Sequence, residues 1–115
     1  MSRILGRREF WSLDLEVTPA VLDPRPETEL LVERALARLP TGTPRTILDL
    51  GTGSGALALA LASERPECAV LATDVSEAAL ALARRNAEAL GIARVRFAAG
   101  DWFAALGADR FDVIV

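Results

Sequence analysis

The order of apolar and polar residues divides the chain into two parts with different predicted elements. Residues 13–18 alternate between apolar and polar side chains, which is the period of a half-buried strand, and residues 7–11 are a candidate hairpin partner. Prolines fix the next turn, and a helix is predicted over residues 26–39 because Pro26 suits the first helical position. We expect residues 1–40 to form a β-hairpin and a helix that lead into a larger core.

From residue 46 onward, short β-rich runs alternate with helical segments. The predicted strands are residues 46–50, 69–73, 95–99 and 111–115, and the predicted helices are residues 56–64 and 77–90. Ser76 is a suitable N-cap for the second of these helices, and Gly91 is placed to end it. A short turn or helix is expected at residues 102–106. This alternation predicts an α/β fold, with parallel strands and right-handed crossovers.

Composition narrows the class of protein. The chain has 115 residues, about half of them hydrophobic, with 13 basic and 16 acidic side chains and a net charge of -3. These values exclude a disordered chain and argue against a general nucleic-acid binder, which needs a basic excess. A single cysteine excludes a disulfide scaffold, and the absence of histidine excludes histidine catalysis and most zinc sites. Without a signal peptide or an apolar run of about 20 residues, a cytoplasmic protein with no metal site is expected.

Candidate binding residues follow three of the predicted strands. Ligands of parallel sheets bind beyond the carboxyl ends of the strands. Those ends carry a glycine loop (Gly51, Thr52, Gly53, Ser54 and Gly55), then Asp74, and then Asp101 with Trp102. Glycines allow the backbone to adopt positive φ and a ligand to approach closely, and the N–H groups at the start of the next helix bind anions.

The acidic residues indicate a ligand that contains a nucleoside. Asp74 can accept hydrogen bonds from both ribose hydroxyls, so the ligand is either a nicotinamide dinucleotide or S-adenosyl-L-methionine. The loop also satisfies the loose form of the dinucleotide-binding pattern, Gly-x-Gly-x-x-Gly/Ala, with Gly51, Gly53 and Ala56. Two acids favour S-adenosylmethionine, since Asp49 could meet its ammonium group and Asp101 its adenine amino group. Trp102 could pack against the adenine or could serve ordinary core packing.

Several segments resemble one known family. They include Val17-Thr18-Pro19, Pro24-Arg25-Pro26-Glu27-Thr28-Glu29, Leu48-Asp49-Leu50-Gly51-Thr52-Gly53-Ser54-Gly55 and Gly100-Asp101-Trp102-Phe103. With them the chain resembles, from about Ile4 to Val115, the release-factor glutamine methyltransferases, which modify the Gly-Gly-Gln motif of bacterial peptide-chain release factors. The resemblance implies a Rossmann-like methyltransferase sheet with strand order 3-2-1-4, of which residues 41–115 form the N-terminal half.

The resemblance also implies the site and the partner. S-adenosylmethionine would contact Gly51, Thr52, Gly53, Ser54, Gly55, Asp74 and Trp102, with Asp101 close by. The substrate would be a release factor, with no direct contact to nucleic acid or membrane. The family's catalytic Asn-Pro-Pro-Tyr motif and its N-terminal helical domain are not in this sequence. We therefore expect a fragment without catalytic residues or activity of its own, which self-associates through the exposed edge strand at residues 111–115.

Three alternatives stay open at this point. The first is another Asn-Pro-Pro-Tyr-type methyltransferase, acting on glutamine in a ribosomal protein or on adenine in nucleic acid. The second is the NAD-binding Rossmann domain of an oxidoreductase. The third is a non-enzymatic module that binds a nucleoside or a partner.

Overall fold

The computed structural model describes residues 6–18, 26–100 and 112–114. Strands β1 (Gly6–Phe10) and β2 (Leu13–Val17) form an antiparallel hairpin, which confirms the predicted pairing. The elements that follow are α1 (Pro26–Ala37), β3 (Thr46–Leu50), α2 (Ala56–Glu64), β4 (Ala69–Asp74), α3 (Glu77–Leu90), β5 (Val95–Ala99) and β6 (Val113–Ile114). The predicted alternation of strands and helices from residue 46 onward is therefore confirmed.

Strands β3 to β6 form one parallel sheet in the order β5-β4-β3-β6, which is the predicted order. β6 is the shortest of the described strands, and Asp112 precedes it with its N–H bonded to the Thr46 carbonyl at 2.8 Å. The strand predicted over residues 111–115 is thus confirmed at Val113–Ile114. Residues 111 and 115 lie outside the described ranges.

Helix α1 ends at Ala37, two residues before the predicted end. The next two N–H groups bond three residues back rather than four, to the carbonyls of Ala35 and Leu36 at 3.0 and 3.1 Å. From the end of α2, the Arg65 Nε donates to the Leu39 carbonyl at 2.7 Å. The last turn therefore tightens, and a side chain from another element satisfies a carbonyl that the helix leaves open.

Helix α2 lies in the middle of the core. Every residue from Ala56 to Ala62 is buried, because the helix is apolar on all sides and contacts α1 as well as strands β4 and β5. Cys68, just before β4, is a free and fully buried cysteine, as expected for a small apolar side chain.

Helix α3 has the caps that the sequence predicts. The Ser76 hydroxyl accepts from the Ala79 N–H at 3.1 Å, and Gly91 ends the helix at φ 69° with its N–H bonded to Glu88. One face of α3 is buried against β2, β4 and β5, so the helix joins the hairpin to the sheet. In the parts of the chain that are described, no helix has the length and apolar character needed to cross a membrane.

Candidate ligand site at the carboxyl edge of the sheet

The glycine loop turns the chain from β3 into α2 through three left-handed residues. Gly51, Gly53 and Gly55 have φ of 68°, 59° and 89°, a region that side-chain-bearing residues rarely adopt. A Cβ at Gly51 would meet no atom within 4 Å, whereas one at Gly55 would lie 3.1 Å from the Ala83 Cβ. Gly51 therefore borders open space, and Gly55 allows α3 to pack closely against the loop.

Asp74 fixes the loop from the end of β4. One carboxylate oxygen accepts from the Gly53 N–H at 3.0 Å, and the other accepts from the Ser76 N–H at 2.9 Å. In addition, the Thr52 N–H donates to the Thr73 carbonyl at 2.7 Å. The predicted acid thus lies beside the predicted loop, and its first observed role is to hold that loop.

Asp49 is a buried carboxylate at the same edge. It is 3% exposed, and its Oδ2 has no hydrogen-bond partner within the described residues. Burial raises the pKa of the Asp49 carboxyl to about 7; the nearby Thr52 side chain and Ala58 backbone partly offset this increase, and the negative charge of Asp74 adds to it. The buried Thr52 hydroxyl also has no partner there. Because buried polar atoms are nearly always paired, the Asp49 oxygen and the neighbouring Thr52 hydroxyl together form one candidate point of contact for a ligand.

The structure brings most of the predicted site residues together. Gly51, Thr52, Gly53, Ser54, Gly55 and Asp74 form one cluster at the carboxyl ends of β3 and β4. The predictions for Asp101, Trp102 and the turn at residues 102–106 lie outside the described residues. The Gly100 N–H bonds to the Asp74 carbonyl at 3.3 Å, so the segment that leads to Asp101 starts beside Asp74.

Asn86 is a further residue of the site, and it was not among the predicted site residues. Its side chain, on α3, is 1% exposed and donates to the Ser54 carbonyl in the loop at 2.9 Å. Its position on α3 is the feature that could have identified it, because all other buried residues of this helix are alanine or leucine. A lone carboxamide on such a face needs polar partners from other elements.

Comparisons with known proteins agree with this geometry. Residues 44–115 match the family described as methyltransferase domain. The chain is 62% identical over 112 residues to the release factor glutamine methyltransferase of Salmonella typhimurium, covering 97% of this chain and 40% of that protein. It is 56% identical over 115 residues to the release factor glutamine methyltransferase of Escherichia coli, covering 100% of this chain and 41% of that protein. The chain thus spans about two-fifths of the length of these curated relatives.

A solved structure gives the same fold. A SAM-dependent methyltransferase from Thiobacillus denitrificans, in complex with S-adenosyl-L-homocysteine, matches with a TM-score of 0.61 and 31% identity over 78% of this chain and 35% of that one. The resemblance to release factor glutamine methyltransferases and the predicted Rossmann-like sheet are confirmed. The family match covers residues 44–115, which is more than half of this chain. The chain therefore belongs to the methyltransferase domain family.

Proposed function

We propose that this chain binds S-adenosylmethionine at the carboxyl edge of its sheet, as the cofactor-binding part of a release factor glutamine methyltransferase. The observation that carries the proposal is the buried Asp49 carboxylate, which keeps one oxygen without a described partner beside the glycine loop. A buried carboxylate of this kind favours a cationic group that can donate hydrogen bonds. S-adenosylmethionine offers such an ammonium group, which NAD lacks.

The other residues of the site fit the remaining groups of the same molecule. The open space at Gly51 leaves room for a ligand to approach the backbone. Asp74 uses one lone pair of each oxygen on backbone N–H groups, which leaves a second pair on each for the two ribose hydroxyls. We assign the adenine to Asp101 and Trp102, which follow the third predicted strand of the sheet.

The proposed reaction would form a bond between a methyl carbon and the side-chain amide nitrogen of a glutamine, which loses one proton to solvent. The bond between that methyl carbon and the donor sulfur would break, and its electron pair would stay on the sulfur. When bound, S-adenosylmethionine supplies the methyl group from its positively charged sulfur. The amide nitrogen is a weak nucleophile because its lone pair is delocalised, so the residues of this chain contribute by orienting the donor. No Asn-Pro-Pro-Tyr sequence occurs in these 115 residues, and we assign them no catalytic residue.

Calorimetric titration of the purified chain tests the cofactor. We expect saturable binding of S-adenosylmethionine and of S-adenosylhomocysteine, with much weaker binding of NAD at the same concentrations. Asp49→Asn is the matched variant, because it keeps the size of the side chain and removes the negative charge. Equal binding of NAD, or no loss of affinity in the variant, would contradict the proposal.

A chimera tests the proposed substrate. Residues 1–115 would replace the matching segment of the Escherichia coli relative, which is 56% identical to them. We expect the chimera to transfer a labelled methyl group to a release factor with an intact Gly-Gly-Gln motif and not to one in which that glutamine is alanine. A folded chimera that binds S-adenosylmethionine but methylates neither protein would contradict the substrate and leave the cofactor proposal standing.

A further inference from the structure

Asn86 carries the only side-chain carboxamide in the chain, because the sequence has one asparagine and no glutamine. Its Oδ1 accepts from the Glu16 N–H at 2.8 Å, and its Nδ2 donates to the carbonyls of Glu16 and Ser54 at 3.0 and 2.9 Å. The side chain therefore uses both of its N–H groups and its oxygen. A carboxylate would lack the two donors, and a hydroxyl would supply only one.

On one side, Asn86 acts on the backbone of the glycine loop. Ser54 is buried, so its carbonyl has no ready access to water if the Nδ2 donor is removed. The next residue, Gly55, packs against Ala83, which lies three residues before Asn86 on the same face of α3. Helix α3 thus supports the end of the loop at two adjacent points, one apolar and one polar.

On the other side, Asn86 holds the hairpin. Both backbone groups of Glu16 in β2 are bonded to the carboxamide, as they would be to a neighbouring strand. The residues on either side, Leu15 and Val17, are buried and fix the position of β2. A movement of β2 would therefore break two of the three hydrogen bonds of Asn86 and free its side chain from the loop.

We infer that Asn86 is a positioning residue that couples the β1–β2 hairpin to the glycine loop, so that the hairpin sets the affinity of the loop for its ligand. The inference rests on the proposed function, because the ligand in question is S-adenosylmethionine. Coupling between two sites is reciprocal, so a ligand bound at the loop also stabilises the hairpin.

Calorimetry on matched variants tests the coupling. In Asn86→Ala, we expect S-adenosylmethionine to bind roughly tenfold more weakly, at a temperature where the variant is folded. Arg85→Gln is the control, because it removes the exposed Arg85–Glu16 ion pair of 3.3 Å and leaves Asn86 in place. Its affinity should stay within about twofold of the wild type, since exposed ion pairs contribute little. A folded Asn86→Ala chain with wild-type affinity would overturn the inference.

A second measurement needs only the wild-type chain. Because the carboxamide is unique, its two protons give one identifiable pair of NMR signals. We expect these signals to shift on addition of S-adenosylmethionine. Hydrogen exchange at the Glu16 amide should slow by a larger factor than at the Thr43 amide, which is bonded in a separate turn. If S-adenosylmethionine binds without either effect, the inference about Asn86 is wrong and the proposed function still stands. A wild-type chain that binds no S-adenosylmethionine overturns the proposed function and this inference with it.

Discussion

Asp49 and Asp112, at opposite ends of the parallel sheet, have opposite surroundings. Asp112, at the amino end, is exposed, and its Oδ2 accepts from the N–H of Thr46 at 2.8 Å. Asp49, at the carboxyl end, is buried, and one of its oxygens has no partner in the described residues. An exposed, paired carboxylate joins two strands at little cost, whereas a buried, unpaired one costs folding free energy. The difference fits the proposal that Asp49 meets a ligand, whereas Asp112 joins the start of β6 to β3.

The largest effect that we expect is the pH dependence of Asp49. Its pKa is about 7 in the folded chain, against 3.8 as the ordinary value, so the folded state holds an extra proton between these pH values. The free energy of unfolding should therefore fall as pH rises from about 4 to 7, by on the order of 4 kcal/mol from this group. Denaturation of the ligand-free chain across this range measures it. Asp49→Asn should remove this contribution, and a wild-type profile in the variant would refute the assignment.

The second prediction concerns Asp74, which holds the loop. Asp74→Ala removes the acceptors for two backbone N–H groups and for the proposed ribose hydroxyls. We expect S-adenosylmethionine to bind about 100-fold more weakly, a loss of about 3 kcal/mol. Asp74→Asn keeps one acceptor oxygen and should lie between the wild type and the alanine variant. Calorimetry checks both, and unchanged affinity in Asp74→Ala would place the ligand elsewhere.

Alanine substitutions at two glycines of the loop distinguish the cost of backbone strain from the cost of steric crowding. Gly51 and Gly55 both have positive φ, but only Gly55 has a close neighbour, at 3.1 Å from an added Cβ. We expect Gly55→Ala to lower the free energy of unfolding by about 2–3 kcal/mol and Gly51→Ala by about 1 kcal/mol. Urea denaturation measures both values. Equal losses would mean that the packing of α3 against the loop is not what requires glycine.

A smaller effect than that of Gly55→Ala should come from the far side of the core. Arg65→Met removes the hydrogen bond to the Leu39 carbonyl at the end of α1. The free energy of unfolding should fall by about 1–2 kcal/mol, and the affinity for S-adenosylmethionine should stay within about twofold. Thermal denaturation and calorimetry on the same sample separate the two effects. A large loss of affinity would show that the two ends of the sheet are not independent.

Features that depend on neighbouring residues could be predicted from the sequence. Ser76 and Gly91 mark the ends of α3 because N-cap and C-cap preferences act within one turn. The positions of the glycine loop and Asp74 followed from the rule that ligands meet parallel strands at their carboxyl ends.

Features that depend on contacts distant in sequence could not be predicted. The early end of α1 involves Arg65, which lies 26 residues after the carbonyl that it binds. The role of Asn86 depends on Glu16, which lies 70 residues before it. Neither partner is visible in a local pattern, and both contacts form only when the hairpin and the helices pack against the sheet.

Chemical-shift mapping with S-adenosylmethionine locates the ligand at one end of the sheet or the other. We expect saturable shifts of the backbone amides of Asp49, Gly51, Gly53 and Asp74, at the carboxyl end of the sheet. We expect little change at the amide of Ala69, which starts β4 at the amino end. Saturable shifts centred on Ala69 and its neighbours, with the glycine loop unaffected, would contradict a ligand site at the carboxyl end.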